Sequence, residues 1–559
     1  MFKYSDSYPS VKRFRIARST ICLAILLALL LSLTLSACSK KQESQSATSF
    51  SSTDLFNLLP ESTLAFWVID LQSQAYNAYR QQPHADAFGL SEWMPASQTE
   101  FGRLMATFLR ALMASGLISD DPAAKQSLKQ AVAFVSWDDS TNKLAIGMGL
   151  SPIQGVNMRE KLSAFQSTFR AADMNLVEKN LNESSAFQVT LSNSFSPAFS
   201  NEIYFAASNE RLFVTTSNEL AQSLLAKNFA AGFQKLQKLP SFTRIDEALP
   251  KSNQVSFGFL DFTQLFSALQ RISPSAELKS VSQSFPAEAL GYAFSVAETP
   301  RSSLVFYTPA KNDDQKRWLG NITSDRLGEP LKFALPKSDL ALYLDGGFLA
   351  NLKKAAYSEL STDSQEAAKK ALQFTEGASS ITFSAELPSG ASPLPSLSIT
   401  FKPTNFDQGL NQIQNALTNF VKELSGSSLV WKERNLRGMR ALSTQSVLAG
   451  FGVTVGTFKE RIIFSTSEEG FLAQIESLST AQGILKMLPS TLVNFLMGKR
   501  PLVAAYLKSN FDLARFMPFI NLSQLKMGAV SNHSRLMTLN VSPGLLFLDF
   551  FELPAPVSE

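Results

Sequence analysis

Short apolar segments led by proline recur along the chain. LPESTLAFWVID begins at Leu59, LPKSNQVSFGFLD at Leu249 and LPKSDLALYLD at Leu335, and a less similar fourth copy, RPLVAAYLKSN, begins at Arg500. Apolar residues alternate with other residues within these segments, which predicts β-strands, and the apolar spacing of three and four that follows predicts a helix. The repeated unit is therefore a strand followed by a helix.

The alternation also predicts which side chains are buried. In the first three copies one face of the strand is bulky, and we expect that face to pack in a core. The other face is more mixed, with Ser256 and Gly258 in the second copy and Ala341 and Tyr343 in the third. The bulky faces consist of Leu64, Phe66 and Val68; of Val255, Phe257 and Phe259; and of Leu340, Leu342 and Leu344.

A longer repeat links the two parts of the chain. NERLFVTTSNE at Asn209–Glu219 matches KERIIFSTSEE at Lys459–Glu469, 250 residues later, and an apolar run precedes each copy. Two such runs separated by a short polar turn predict a β-hairpin. Thr216 and Thr466 each lie three residues before a glutamate, which is the spacing of a capping box, so we expect each threonine to cap the helix that follows.

The predicted elements come in the same order in both parts. A strand–helix unit is followed by two strands, a helix near Met158–Ala172 or Phe406–Leu424, the hairpin, another strand–helix unit and two closing strands. The chain is also too long for a single core. We therefore predict a tandem duplication, 54–330 and 331–559, in which each half is an α+β fold with a largely antiparallel sheet. Chance similarity of the four short units is the alternative.

The starts LPES and LPKS, together with this order of elements, resemble a family of exported bacterial proteins of unknown function. In that family Leu-Pro-led strand–helix units recur along a chain of about this size. The resemblance covers most of the chain after the N-terminal leader and implies the same architecture. The family carries no known activity, so the resemblance implies no site residue.

The N-terminus has the features of an export signal. Five Lys and Arg residues precede an apolar run from Ile21 to about Leu35, which is shorter than the ~20 residues of a membrane span. The run ends in LSAC, which resembles the lipobox of bacterial lipoproteins. The resemblance implies that 1–37 is a signal peptide and that Cys38 is lipidated. An uncleaved N-terminal anchor helix is the alternative.

The residues after the cysteine indicate a location. Ser39 stands where, by family resemblance, an aspartate favours retention in the inner membrane. The resemblance therefore implies an outer-membrane lipoprotein on the periplasmic face, whose membrane contact is the N-terminal lipid. Residues 38–53 are then the lipidated cysteine and a flexible tether, because SKKQESQSATSFSST is polar and rich in serine.

Removal of the leader changes the composition of the chain. Cys22, the only other cysteine, is lost, so no thiol remains for a disulfide or a metal site. The full chain has 51 basic and 47 acidic residues, of which the leader contains five and one, so 46 of each remain. A neutral chain lacks the basic face that nucleic-acid binding needs, and we expect no nucleic-acid partner.

Aspartates at the ends of strands are the first candidates for chemistry. Asp70, Asp261 and Asp345 each lie where a strand ends and a helix should begin. A carboxylate at such a place is either catalytic or an N-cap, which accepts a hydrogen bond from the first helical turn. The fourth copy has Lys508 at the matching place, followed by serine and asparagine, which cap helices without a charge. This favours capping.

Other signatures of enzymes are absent from the sequence. His84 and His533 lie in polar segments, each without a second histidine at metal-ligand spacing. Neither a G-x-S-x-G elbow nor a phosphate-binding loop occurs, and the acidic pairs at 120–121 and 138–139 suit turns and caps. We therefore expect no catalytic residue, metal or cofactor. A Ser–Lys or paired-carboxylate enzyme stays open, because it leaves no signature.

Phenylalanine occurs 44 times, against ten tyrosines and five tryptophans. It buries a large apolar area without a polar group, which suits ordinary cores or an apolar groove for a lipid tail or a partner's apolar segment. The best groove candidates are Leu104, Phe108 and Leu112, which share one helical face of EFGRLMATFLRALMASGLI. Core packing is the alternative for the same face.

We therefore expect a non-enzymatic, outer-membrane-anchored periplasmic lipoprotein that acts as a binding or assembly module of the cell envelope. The alternative is a carrier of a lipid or other hydrophobic ligand. The third hypothesis is a hydrolase whose site is not visible in the sequence. An apolar cavity would favour the carrier, and convergent buried polar groups with shifted pKa values would favour the enzyme.

The lipobox generates a direct test. We expect Cys38→Ala to leave a precursor that is neither cleaved nor lipidated, because the thiol is the group that carries the lipid. Incorporation of labelled palmitate during growth measures this, and Cys22→Ala, a substitution in the same leader, should label normally. Labelled palmitate in the Cys38→Ala protein would contradict the assignment.

Overall fold

The computed structural model describes most of the chain between residues 59 and 553, in two compact units, Met1–Pro309 and Ala310–Glu559. The predicted leader and tether, and hence Cys38, lie outside the described residues. The predicted boundary after residue 330 falls inside the second unit, at the end of an undescribed segment. The described ranges are 59–80, 100–119, 127–181, 184–192, 198–225, 235–296, 299–309, 331–350, 378–387, 395–403, 406–425, 429–444, 452–480, 483–509 and 534–553, with positions 353, 366 and 369.

The first unit contains one sheet whose described strands follow the order β4-β5-β6-β7-β3-β2-β1-β8-β9-β10, with every neighbouring pair antiparallel. The strands are β1 (Thr63–Asp70), β2 (Leu128–Asp138), β3 (Lys143–Pro152), β4 (Leu176–Leu181), β5 (Ser184–Thr190), β6 (Glu202–Ala207), β7 (Leu212–Thr215), β8 (Gln254–Asp261), β9 (Ala289–Val296) and β10 (Pro300–Tyr307).

The described strands of the second unit follow the order β14-β15-β16-β17-β13-β12-β11-β18-β19-β20, again with antiparallel pairs. Each strand takes the place of the first-unit strand whose number is lower by ten. The strands are β11 (Leu340–Asp345), β12 (Ser380–Glu386), β13 (Ser396–Phe401), β14 (Trp431–Leu436), β15 (Met439–Thr444), β16 (Thr454–Phe458), β17 (Arg461–Ser465), β18 (Val503–Leu507), β19 (Ser534–Ser542) and β20 (Leu545–Leu553).

Helices lie between these strands, so the predicted α+β class with antiparallel sheets is confirmed. The helices predicted near Met158–Ala172 and Phe406–Leu424 are present within one residue of those limits. The described helices are α1 (Gln74–Arg80), α2 (Glu100–Ala114), α3 (Met158–Ala171), α4 (Asn218–Leu225), α5 (Pro240–Ala248), α6 (Phe262–Ile272), α7 (Ala276–Ser284), α8 (Phe406–Ser425), α9 (Glu468–Thr480) and α10 (Ser490–Lys499).

Strand β1 is central in the first sheet, and both of its faces are covered. On one face Phe66 packs with Phe257 and Phe259 of β8, and all three rings contact Phe242 of α5 at centroid distances of 5.1 to 6.2 Å. The other face belongs to a core formed with α1, α2 and α3. The predicted burial of Leu64, Phe66 and Val68 is therefore confirmed, although Thr63 and Ile69 of the opposite face are buried as well.

The predicted buried face of β11 is wrong. Ala341 and Tyr343 are the fully buried residues, whereas the leucines at 340, 342 and 344 are half-buried. Ala341 and Tyr343 face the core that contains Leu492 and Leu496 of α10. The reason is that a central strand has two covered faces, so side-chain size alone does not identify the deeper one.

The two predicted hairpins are confirmed as β6–β7 and β16–β17, but the predicted caps are displaced by one residue. The Leu220 N–H donates to Ser217 Oγ at 3.2 Å, and the Gly470 N–H donates to Ser467 Oγ at 3.0 Å. The serines therefore cap α4 and α9. Thr216 instead accepts a hydrogen bond from a backbone N–H of β3, and Thr466 accepts one from β13.

Two hairpins with exposed first strands were not predicted from the sequence. Strand β4 (LVEKNL) and strand β14 (WKERNL) each pair with only one described strand, and most of their side chains are exposed. Charged residues are typical of edge strands because they discourage pairing with other chains. The shared pattern Glu-Lys/Arg-Asn-Leu nevertheless lies at the same place in both sheets.

The threonine hydroxyls generate a stability prediction. Thr466→Val removes the hydrogen bond of 2.9 Å from the Leu397 N–H and leaves that donor unpaired, which we expect to cost about 1–3 kcal/mol of unfolding free energy. Thr216→Val should act alike through Ile146. Chemical denaturation measures both. The control Thr480→Val removes only bonds from the hydroxyl to carbonyl oxygens of its own helix and leaves no backbone N–H unpaired. A Thr466→Val protein as stable as this control would refute the role.

Candidate ligand-binding site

Two rows of side chains cross the face of the first sheet that packs against α1. One row joins Trp67, Gly258, Tyr292 and Leu304, which are direct cross-strand neighbours on β1, β8, β9 and β10. The adjacent row joins Ile69, Ser256, Phe294 and Ser302 in the same way. Because cross-strand neighbours point to the same face, the polar residues Trp67, Ser256, Tyr292 and Ser302 converge, and we refer to them as the polar cluster.

Three atoms of the polar cluster are buried without a hydrogen-bond partner. They are Nε1 of Trp67, Oγ of Ser256 and the hydroxyl oxygen of Tyr292. Ser256 is completely buried, and Tyr292 is 8% exposed. A buried polar group without a partner costs about 1–3 kcal/mol, so buried groups of this kind normally bind water, an ion or a ligand.

Burial controls the ionisation of Tyr292. Removal from water raises its pKa to about 12, and the nearby hydroxyls of Ser302 and Ser256 lower it only in part. Those hydroxyls lie close to Tyr292 without hydrogen-bond geometry to its oxygen. The phenol is therefore neutral at physiological pH, and it can donate a hydrogen bond.

Gly258 makes room for the indole of Trp67. A Cβ atom at Gly258 would lie 3.2 Å from Cδ1 of Trp67 and 3.1 Å from the carbonyl oxygen of Phe66. Gly258 stands between Trp67 and Tyr292 in the row, and the edge of the indole that carries Nε1 lies against it, since Nε1 is bonded to Cδ1. Close approach to a neighbour is a common reason for glycine within a strand.

The surroundings of the polar cluster are apolar. Ile69, Val255, Phe294 and Val296 belong to the same core, and Leu304 packs against it. Helix α1 packs on β8 and β9 and buries Tyr76 in this core. The helix begins after Ser73, whose Oγ accepts a hydrogen bond of 3.1 Å from the Tyr76 N–H.

The second unit has apolar residues at the matching positions. The two sheets can be aligned on Asp70 and Asp345, which end β1 and β11. Asp70 pairs with Gln130 of β2, and Asp345 pairs with Ser380 of β12. The strand registers then assign a partner to each residue of the polar cluster. Trp67, Ser256, Tyr292 and Ser302 correspond to Leu342, Val503, Met537 and Leu548. The polar cluster is therefore a property of the first unit and is not required by the fold.

A charged cluster lies at the corner of the second sheet. Lys508 Nζ contacts Asp339 Oδ1 at 3.0 Å, and the Leu387 N–H donates to Asp339 Oδ2 at 2.7 Å. Burial raises the pKa of Glu386 above its ordinary value, and the negative charge of Asp339 raises it further, while Lys337 and Lys508 oppose the shift. The carboxyl of Glu386 is thus held in an environment that disfavours its charge.

The strand-terminal aspartates act in local structure. Asp261 caps α6 by accepting from the Gln264 N–H at 2.9 Å, as predicted. Asp345 accepts from the N–H groups of residues 347 and 348, at 3.0 and 3.3 Å, at the start of the helical residues 346–350. Asp70 accepts from the Gln72 N–H at 2.9 Å in a turn, and the cap of α1 is Ser73. The cap prediction for Asp70 is therefore wrong, because the turn delays the helix.

The predicted groove residues lie in the core of the first unit. Leu104, Phe108 and Leu112 are 4 to 6% exposed. The ring of Phe108 lies 5.9 Å from that of Phe165 and 6.2 Å from that of Phe205. Their shared face thus follows the core alternative in this structure.

Of the other residues singled out in the sequence, only the acidic pair at 138–139 lies within the described residues. Cys38, His84, His533 and the pair at 120–121 lie outside the described residues. Asp138 accepts from the Ser140 N–H at 3.0 Å in the β2–β3 turn. Burial raises the pKa of Asp138, but hydrogen bonds from Ser140, Ser217 and Thr141 outweigh this effect and leave the pKa below its ordinary value.

Among the described residues, no group of three or more His, Cys, Asp and Glu side chains is arranged to hold a metal ion. Within the same ranges, no helix has the length and apolar character needed to cross a membrane.

Comparison with known proteins places few constraints on the chain. No protein-family profile matches it, and no curated protein matches it. It is similar to crystal form III of TP0453, with 11% identity, a TM-score of 0.25, and coverage of 42% of this chain and 83% of that one. Crystal form I of TP0453 shows 8% identity, a TM-score of 0.25, and coverage of 48% and 85%.

The charged cluster generates a prediction with a defined sign. The raised pKa of Glu386 means that the folded protein binds this proton more tightly than the unfolded chain, so ionisation costs stability as the pH rises above the ordinary value of 4.5. We therefore expect Glu386→Gln to be more stable than the parent at pH 7, with a difference that shrinks as the pH falls through the raised pKa of Glu386 and is lost below the ordinary value of 4.5. Denaturation at several pH values measures this.

Glu460 provides a control of opposite sign. A hydrogen bond from Lys402, 2.7 Å long, holds the pKa of Glu460 below its ordinary value. Glu460→Gln should thus lose stability at pH 7, by a small amount because the pair is exposed. A Glu386→Gln protein that is less stable than the parent at neutral pH would show that Glu386 is stabilised in its charged form.

Proposed function

We propose that the protein is a non-enzymatic lipoprotein, anchored through Cys38 to the outer membrane on its periplasmic face, whose body is a binding module for another component of the cell envelope. The first unit carries the binding site. The observation that supports this assignment is the set of unpartnered polar atoms of Trp67, Ser256 and Tyr292 in an otherwise apolar core.

The two units differ in the energetic cost of these positions. Each unpartnered atom costs about 1–3 kcal/mol, and the second unit folds with Leu342, Val503 and Met537 at the same places. Residues that reduce stability without serving the fold are typical of sites that keep them for function. The polar cluster is therefore best explained by a bound molecule.

A binding role suits the polar cluster better than catalysis. A general acid or base needs a pKa near the working pH, whereas burial moves the pKa of Tyr292 to about 12. The phenol is thus suited to donating a hydrogen bond rather than exchanging a proton. Its position inside an apolar core also favours the second candidate, a carrier of a lipid or other hydrophobic molecule.

We further propose that the body arose by tandem duplication, with the polar cluster confined to one copy. The identical strand orders support this proposal. So do the paired details of the hairpins: Thr216 and Thr466 accept from β3 and β13, and Ser217 and Ser467 cap the next helix. Hydrogen bonds that recur at equivalent positions of the two units are less easily explained by chance than an equal number of strands.

The proposed site is tested on the untethered body. All described elements lie between residues 59 and 553, so residues 39–559 behind a cleavable non-lipoprotein signal keep every one of them. We expect this protein, purified from the periplasm without detergent, to retain a small molecule in about equimolar amount that solvent extraction and mass spectrometry detect. The variant Trp67→Leu/Ser256→Val/Tyr292→Met, which copies the second unit, should be folded and empty.

A matched control separates binding from burial. Thr382 has a buried, unpartnered hydroxyl in the second unit, and the matching residue of the first unit is Val132. Thr382→Val should leave the bound molecule in place. A parent protein that carries no small molecule, or a triple variant that carries as much as the parent, would rule out the proposed site.

A further inference from the structure

The chemistry of the polar cluster restricts its ligand to one class. Resting on the proposed function, we propose that the ligand is an uncharged acyl lipid, whose ester or amide carbonyl accepts hydrogen bonds from Trp67, Ser256 and Tyr292 while its chain lies among the surrounding apolar side chains.

The donors require an acceptor. The indole N–H of Trp67 can only donate, and the hydroxyls of Ser256 and Tyr292 can each donate one proton. A carbonyl oxygen has two lone pairs and no proton, so it complements two of these groups at once. A ligand group that mainly donates, such as an ammonium, would leave the indole N–H unpaired.

The absence of compensating charge favours a neutral ligand. The eight residues of the two rows that contain the polar cluster are all uncharged, and the groups that act on Tyr292 are hydroxyls rather than ions. A carboxylate or phosphate bound beside these eight residues would be removed from water without a cation among them to pair with it. An ester or amide carbonyl carries the acceptor without that cost.

The surroundings suit a hydrocarbon chain. Ile69, Val255, Phe294 and Val296 present apolar surface next to the polar cluster, and burial of methylene groups against such surface is favourable. Ligand sites generally combine an apolar lining with a few polar groups that fix the orientation of the ligand. The polar cluster would fix the carbonyl, and the core would hold the chain.

Helix α1 covers the proposed site and is the element whose displacement would admit a ligand. It has seven residues, which is below the length of about 12–15 residues at which isolated helices become stable. Its stability therefore depends on packing of Tyr76 against β8 and β9. A lipid chain that replaces the contacts of Tyr76 compensates for moving the helix.

The test compares three labelled probes on the delipidated protein of residues 39–559: monooleoylglycerol, oleate and octadecane. All three have a long hydrocarbon chain. Monooleoylglycerol adds a neutral ester, oleate adds a carboxylate, and octadecane has no hydrogen-bond acceptor. We expect monooleoylglycerol to bind at least about tenfold more tightly than either of the others at neutral pH, as one lost hydrogen bond or one uncompensated charge predicts. Retention during gel filtration and titration measure this.

The variant Ser256→Ala/Tyr292→Phe removes two hydroxyls and little volume. It should bind monooleoylglycerol at least about tenfold more weakly than the parent, and its ligand-free melting temperature should be equal or higher, because two unpartnered groups are gone. Thr382→Val should bind monooleoylglycerol normally. A double variant that melts lower than the ligand-free parent would indicate that the hydroxyls serve the fold instead.

The outcomes separate this inference from the proposed function. Equal binding of octadecane or oleate, or unchanged binding of monooleoylglycerol by the double variant, overturns the assignment of the carbonyl. If a different small molecule is extracted from the parent and lost in the triple variant, the binding site stands and the lipid assignment fails. Tight, hydroxyl-dependent binding of monooleoylglycerol supports both.

Discussion

The central strands β1 and β11 are hydrogen-bonded along both edges, and the rest of each unit follows from this constraint. A strand in the middle of a sheet can leave one face exposed, but here apolar clusters lie on both faces, so each central strand has one deeply buried side and one that is at least partly buried. Side chains on either face must then fit a close-packed interior. The phenylalanine clusters fill this interior in the first unit. The buried Tyr343 does so in the second.

The two units solve this requirement with different side chains on one scaffold. In the first, Phe134 faces Gly147, and a Cβ at Gly147 would lie 2.1 Å from the Phe134 ring. In the second, the matching pair is Ser384 and Ser398, and Ser398 donates to the buried Gln474 at 3.1 Å. One large and one small residue are thus replaced by two small polar residues, one of which makes a buried hydrogen bond.

The polar cluster distinguishes the first unit from the second. Polar atoms within a core are ordinary when they find partners, as Ser398 does with Gln474. Trp67, Ser256 and Tyr292 lack such partners, although the second unit shows that apolar residues fit the same places. The fourth Leu-Pro-like copy diverges in another direction: Lys508 replaces the helix cap found at Asp261 and pairs with Asp339. The first unit therefore differs from the common scaffold at the polar cluster, and the second differs at the pair of Lys508 and Asp339.

Alternation and repeats in the sequence determined the class of the fold, the two hairpins, and the helices α3 and α8, because these features depend on residues that are near each other in the chain. The sequence also favoured capping for Asp261 and pointed to Ser256 and Gly258 as a mixed face. Only the tertiary structure decided the deeper face of β11, the exchange of Thr216 for Ser217 as the cap, and the edge strands β4 and β14, since these depend on contacts between distant segments. Trp67, Ser256 and Tyr292 are far apart in the chain, and the strand register alone makes them neighbours.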